Sequence, residues 1–79
     1  MKVRIYISLK SGVLDPQGKA TENALHALGF DGVRNVRQGK FIELELNQTE
    51  PEKALGQAEN MCQKLLANTV IENYKVELA

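Results

Sequence analysis

The chain begins with a strict alternation in which Val3, Ile5, Ile7 and Leu9 are apolar and Lys2, Arg4, Tyr6, Ser8 and Lys10 fall between them. A period of two is that of a strand with one face buried. Over residues 16–28 the period changes: Ala20, Ala24, Leu25 and Leu28 share one side of a helix, with Glu22, Asn23 and His26 elsewhere. Asp15 is placed to be the N-cap and Pro16 the first helical residue, where a missing N–H costs little. Gly29 stands where a left-handed cap ends a helix, and Phe30 holds the position that packs back on Leu25.

Two extended runs follow, Val33 to Arg37 and Lys40 to Leu46, separated by Gln38-Gly39, so that a hairpin is expected. In the second run Ile42, Leu44 and Leu46 face one way and Phe41, Glu43 and Glu45 the other. Thr49-Glu50-Pro51-Glu52 has the form of a capping box, with Thr49 as N-cap and Glu52 at N3. The stripe Ala54, Leu55, Ala58, Met61, Cys62, Leu65 and Leu66 predicts a second helix, which Asn68 closes. A last strand puts Val70, Glu72, Tyr74, Val76 and Leu78 on one side and Asn73, Lys75 and Glu77 on the other.

The predicted order is β-α-β-β-α-β in one domain over residues 1–79. Right-handed crossovers turn it into a ferredoxin-like α+β fold, a four-stranded antiparallel sheet of spatial order 4-1-3-2 with both helices on one face. The helices are expected to cover Val3, Ile5, Ile7, Ile42 and Leu44. Arg4, Tyr6, Phe41, Glu43, Glu45 and Lys75 are then left on a sheet face that no helix covers.

Size changes the picture. A chain of 79 residues hides only about 60% of its unfolded surface, and one small core supplies only about 3–5 kcal/mol. Cys62 is the only cysteine, so no intrachain disulfide can form, and His26 is the only histidine, so a metal site would rest almost wholly on carboxylates. Association is the remaining source of stability. Ten basic and ten acidic residues balance, with no long run of either sign, which argues against nucleic acid and anionic membrane as partners. No stretch approaches the roughly 18 apolar residues of a membrane span, and the expectation is a soluble, cytoplasmic protein.

Candidate chemistry is sparse. Gly18-Lys19 and Gly39-Lys40 lack the upstream glycine and following Ser/Thr of a phosphate loop. Glu43 and Glu45 have the spacing of paired metal or acid–base carboxylates, but Lys2 and Arg4 alternate on the adjacent strand, and cross-strand charge pairing accounts for them. His26 suits a solvated residue near a helix C-terminus, and Cys62 lies on the core stripe as inert packing. Tyr6 and Phe41 occupy positions where an RNA-recognition motif stacks bases, yet Glu43 and Glu45 follow where further aromatics would be expected. The face reads instead as an interaction surface, with aromatic anchors among polar positions that fix register.

The run SLKSGVLDPQGKATENALHALGF, then VRQGKFIELEL and finally MCQKLLANTVIENYKVEL resembles the PurS family, the small subunit of phosphoribosylformylglycinamidine (FGAM) synthase, over essentially the whole chain. The GVLDPQG turn at 12–18, the LGF helix ending at 28–30, the V-R-x-G-K segment at 36–40 and C-x-K-L-L-A-N at 62–68 stand in the family's order and spacing. Thr69 departs from the proline often found there. The resemblance implies a role in de novo purine synthesis within an ATP-dependent carbon–nitrogen ligase. That complex makes FGAM, glutamate, ADP and phosphate from formylglycinamide ribonucleotide (FGAR), glutamine and ATP. It also implies that this chain assembles the glutaminase and synthetase subunits for ammonia transfer, with no catalytic, cofactor or metal residue of its own. ATP and magnesium are then handled by the large subunit.

Candidate interface residues are Arg4, Tyr6, Phe41 and Glu43 for self-association into a dimer or tetramer. Asp15, Gln17, Gly18, Arg37 and Lys40, at the 13–18 turn and the expected hairpin tip, are the candidates for contact with the larger subunits. Gly18 stands out because glycine early in a helix lowers its stability by up to about 1 kcal/mol, and a close approach by another subunit would explain it. A small-molecule-sensing domain of the same fold is the alternative reading.

Overall fold

The alternating N-terminal run forms β1 (Lys2–Leu9), the centre of a three-stranded antiparallel sheet. The computed structural model describes all residues, Met1–Ala79. β1 is followed by α1 (Pro16–Ala27), β2 (Gly39–Glu45), α2 (Pro51–Met61), a π turn (Cys62–Leu66) and β3 (Glu72–Leu78). The sheet order is β2-β1-β3. Ile5 lies opposite Ile42 and Val76, and Val3 opposite Leu44 and Leu78, so the apolar parity of all three strands meets on one face. The last strand starts at Glu72, two residues later than its alternation suggests, because Val70 and Ile71 are held in a turn by Asn68.

α2 lies across this face over β1 and β3, burying Ala54, Ala58 and Cys62 against Val3, Ile5 and Ile7. Its small side chains let the helix sit close to the branched residues of the strand. The expected capping box is absent: Glu50, not Thr49, is the N-cap, and no side chain caps the helix. Pro51 forces the residue before it to be extended, and the Glu50 carboxylate turns outward to Lys53 at 3.5 Å. At the other end the Ala67 N–H reaches back five residues to the Cys62 carbonyl, a π turn that keeps Cys62 and Ala67 buried and leaves Leu65 82% exposed.

Two expectations for the first half fail together. Residues 33–37 form no strand and no hairpin with β2, so the sheet has three strands rather than four. The second helix of the expected face is also missing, because α1 does not lie on the sheet and no other element packs along it. Hydrogen bonding supplies the reason. The Gln38 N–H donates to Asp15 Oδ2 and the Val36 N–H to Glu22 Oε1, so the donors a fourth strand would need are held by α1 and its cap. Asn35, at φ 57°, breaks the extended run between them. The α1 end is as read: Gly29 has φ 96°, its N–H bonds the His26 carbonyl, and the Phe30 N–H bonds that of Leu25.

The outcome is an elongated chain. Only nine residues are buried, and the radius of gyration is 15.8 Å, against about 12 Å for a compact domain of this length. No helix is long and apolar enough to cross a membrane.

Candidate interaction surfaces

Opposite parity on the three strands builds the uncovered sheet face. Tyr6 pairs with Phe41 across β1 and β2 and with Lys75 across β1 and β3. The two rings meet with centroids 5.1 Å apart at 37°, within the range of favourable aromatic pairs. Both stay about half exposed, Tyr6 at 41% and Phe41 at 54%. Polar groups surround them: Arg4 Nε donates to Glu43 Oε2 at 2.9 Å and Tyr6 Oη to Glu77 Oε1 at 2.8 Å. The hydrogen bond to Glu43 raises the Arg4 pKa, and that to Glu77 raises the Tyr6 phenol, whose anion a carboxylate would repel. Arg4, Tyr6, Phe41 and Glu43 are thus one continuous patch. Glu45 lies across from Lys2 without closing an ion pair. Glu77, absent from the candidate residues, belongs to the patch, and the alternation that places Lys75 there also places Glu77.

The second group gathers at the root of α1. Asp15 is 6% exposed, with Oδ1 accepting from the Gly18 N–H and Oδ2 from the Gln38 N–H, each at 2.8 Å. These two backbone donors hold its carboxyl below the ordinary range, against the opposing effect of desolvation. Glu22 is likewise lowered, chiefly by the Val36 N–H. Arg37 donates to the Lys10 carbonyl at 3.1 Å, and Lys40 Nζ lies 3.5 Å from Glu72 Oε2. Asp15, Gln17, Gln38, Lys40 and Glu72 line a small polar cleft.

The expected turn-and-hairpin grouping therefore exists as a cluster, without the hairpin. Asp15 and Gly18 are buried within it. A Cβ on Gly18 would stand 2.4 Å from the Val36 carbonyl oxygen and 2.7 Å from Asp15 Oδ2, so the close approach that requires glycine there is made by the chain itself. Gln17, Arg37 and Lys40 remain at the surface. Sequence reading missed Glu22 and Gln38, which lack any local signal because their partners lie 14 and 23 residues away.

His26 Nε2 meets the Val33 carbonyl oxygen, Cys62 is buried with its thiol pKa raised by desolvation, and nowhere do three or more His, Cys, Asp or Glu side chains converge.

The sequence model of the family described as PurS: Phosphoribosylformylglycinamidine (FGAM) synthase matches residues 2–79. The PurS subunit of Synechocystis sp. is 52% identical over 75 residues, 95% of this chain and 75% of that protein. The crystal structure of Bacillus subtilis PurS superposes with a TM-score of 0.86 at 46% identity, covering 99% of this chain and 96% of that one. A chain in the structure of PurLQS from Thermotoga maritima gives a TM-score of 0.89 at 35% identity, covering 99% and 95%. On a match that runs the length of the chain in both sequence and fold, this protein belongs to the PurS family of FGAM synthase.

Proposed function

We propose that this chain is the small, non-catalytic subunit of an FGAM synthase in purine biosynthesis, a cytoplasmic protein that holds the glutaminase subunit against the synthetase subunit. The complex would convert FGAR, glutamine, ATP and water to FGAM, glutamate, ADP and phosphate. The observation that carries this reading is the full-length likeness to a chain of the Thermotoga maritima PurLQS structure. Two exposed polar-and-aromatic surfaces, with no assembled reactive group between them, support a role in assembly rather than chemistry. Ammonia released in bulk water is diluted and protonated, whereas apposed sites deliver it at high effective concentration. ATP and magnesium belong to the large subunit in this reading.

The sheet face built on Tyr6 and Phe41 is assigned to self-association, and the surface at Gln17, Arg37 and Lys40 to the larger subunits. Omitting this protein from a mixture with the glutaminase and synthetase subunits should abolish FGAM formation from glutamine and spare formation from ammonia. An equal rate from glutamine without it would overturn the proposal. Gln17→Arg with Arg37→Glu should reproduce the selective loss if those residues meet the larger subunits. Saturable binding of an amino acid or nucleotide to the isolated protein would favour a sensing domain instead.

A further inference from the structure

Two ties bracket a short free stretch between α1 and the segment it holds. The Phe30 N–H bonds the Leu25 carbonyl, and the Val33 carbonyl oxygen meets His26 Nε2. Between them Asp31 and Gly32 form an exposed turn whose polar groups enter no hydrogen bond or ion pair. This is also the one place in the chain where an Asp or Asn precedes a glycine.

A carboxyl so placed is one bond short of a five-membered ring with the next backbone nitrogen. Closing the ring needs that nitrogen to be unbonded and uncrowded, and the backbone between to rotate; glycine allows the widest rotation. Gly32 meets these requirements: its N–H has no acceptor, and a Cβ there would find no atom within 4 Å. Elsewhere the structure opposes the same reaction. Asp15 precedes Pro16, which has no N–H, and both its carboxylate oxygens are engaged. Asn23 and Asn60 lie inside helices, where backbone N–H groups are paired along the axis. Asn35 precedes the branched Val36, whose N–H is held by Glu22, and Asn68 Oδ1 accepts from the Val70 N–H.

We propose that Asp31–Gly32 is a covalent modification site, where spontaneous isomerisation to isoaspartate makes the chain a substrate for an S-adenosylmethionine-dependent carboxyl methyltransferase. The Gly32 nitrogen adds to Cγ of the protonated Asp31 carboxyl, its proton and the carboxyl hydroxyl leave as water, and a succinimide forms. Water reopens the ring. Cleavage at Cγ restores aspartate, whereas cleavage at the original peptide carbonyl routes the main chain through Cβ and frees that carboxylate, with no change in mass, charge or oxidation state. The methyltransferase moves a methyl group from the sulfonium donor to the freed carboxylate, leaving the thioether. The Gly32 nitrogen then displaces methanol and regenerates the ring.

The position gives the change an effect. Isoaspartate adds one carbon to the main chain between the ties at Phe30 and Val33. The contact of Val33 with His26 opens the series that continues from Val36 to Glu22 and from Gln38 to Thr21 and Asp15. A longer link therefore loosens the segment carrying Arg37 from α1. None of this depends on which enzyme the subunit serves.

The test ages the folded protein at neutral pH and treats it with an isoaspartate carboxyl methyltransferase and labelled S-adenosylmethionine. Methyl acceptance should rise with time, map to the proteolytic peptide containing residues 31–32, and be lost in Gly32→Ala and Asp31→Glu. Gly32 is not among the residues of positive φ and its surroundings are open, so both variants should keep the parent melting temperature. In the aged fraction, amide exchange at Val36 should be faster than in fresh protein, with β1 amides unchanged. Acceptance that appears only after ageing in urea would overturn the proposal, because the turn would then protect the bond. So would acceptance that maps to another residue or survives in Gly32→Ala, and unchanged exchange at Val36 would overturn the loosening.

Discussion

The two helices of this protein are similar in length and both carry an apolar stripe, yet only one has a place in the core. α2 buries Ala54 and Ala58 completely against Val3 and Ile5. α1 buries only Gly18, and its stripe faces outward. What holds α2 is apolar area removed from water. What holds α1 in position is a set of directional bonds from Asp15, Thr21, Glu22 and His26 to residues 33–38. Amphipathicity says that a helix has a face to bury. It does not say which molecule buries it.

The sharpest way to break this contrast is to put the same charge on both stripes. Ala58→Glu places an unpaired carboxylate in a fully buried site, and desolvation of that charge is expected to abolish cooperative folding. Ala24→Glu should keep the cooperative melt in dilute protein and act on association instead. Equal effects on folding would mean that α1 is packed within its own chain.

Gly18→Ala is next in size. In an ordinary helix interior that change stabilises by about 0.5–1 kcal/mol. Here the new methyl meets the Val36 carbonyl at 2.4 Å, and overpacking of this kind costs about 1–3 kcal/mol. A raised melting temperature would show that the close approach relaxes freely.

Acid should loosen α1 from residues 33–38 before it affects the sheet. Asp15 and Glu22 titrate below their ordinary values in the folded chain, so the unfolded chain binds more protons through that range. Their contribution is present above the ordinary carboxylate pKa, about 4, and is lost as pH falls through the lowered folded values. Amide exchange at Val36 and Gln38 should accelerate in that window while β1 amides stay protected, and Asp15→Ala should remove the change at Gln38.

Arg4→Ala is expected to be the smallest effect on folding. Its ion pair with Glu43 is exposed on both sides, and pairs of this kind add little to stability. The melt should be unchanged even if assembly is not.

Much of this was legible in the chain because the signals are local. Alternation gave β1, the inner parity of β2 and β3, and the Tyr6–Phe41 patch. Asp15, Pro16 and the Leu28-Gly29-Phe30 ending fixed the limits of α1. The capping box failed because Pro51 controls the backbone of Glu50, a one-residue effect that pattern alone does not rank. The fourth strand failed because residues 33–37 have an extended pattern whose N–H groups are claimed from a distance. The glycine at position 18 signals a close approach, but not with what, since the Val36 carbonyl that makes it lies 18 residues on.

Periodicity, caps and charge balance are properties of neighbours along the chain, and they determined the elements and the core parity. The family likeness was legible for the same reason, as motifs in order. Where α1 goes was decided only in three dimensions, because Asp15 and Glu22 each had to choose among backbone donors that sequence does not distinguish. That choice turned a compact two-layer fold into an extended one, with a free helix at one end and an open groove beside β2.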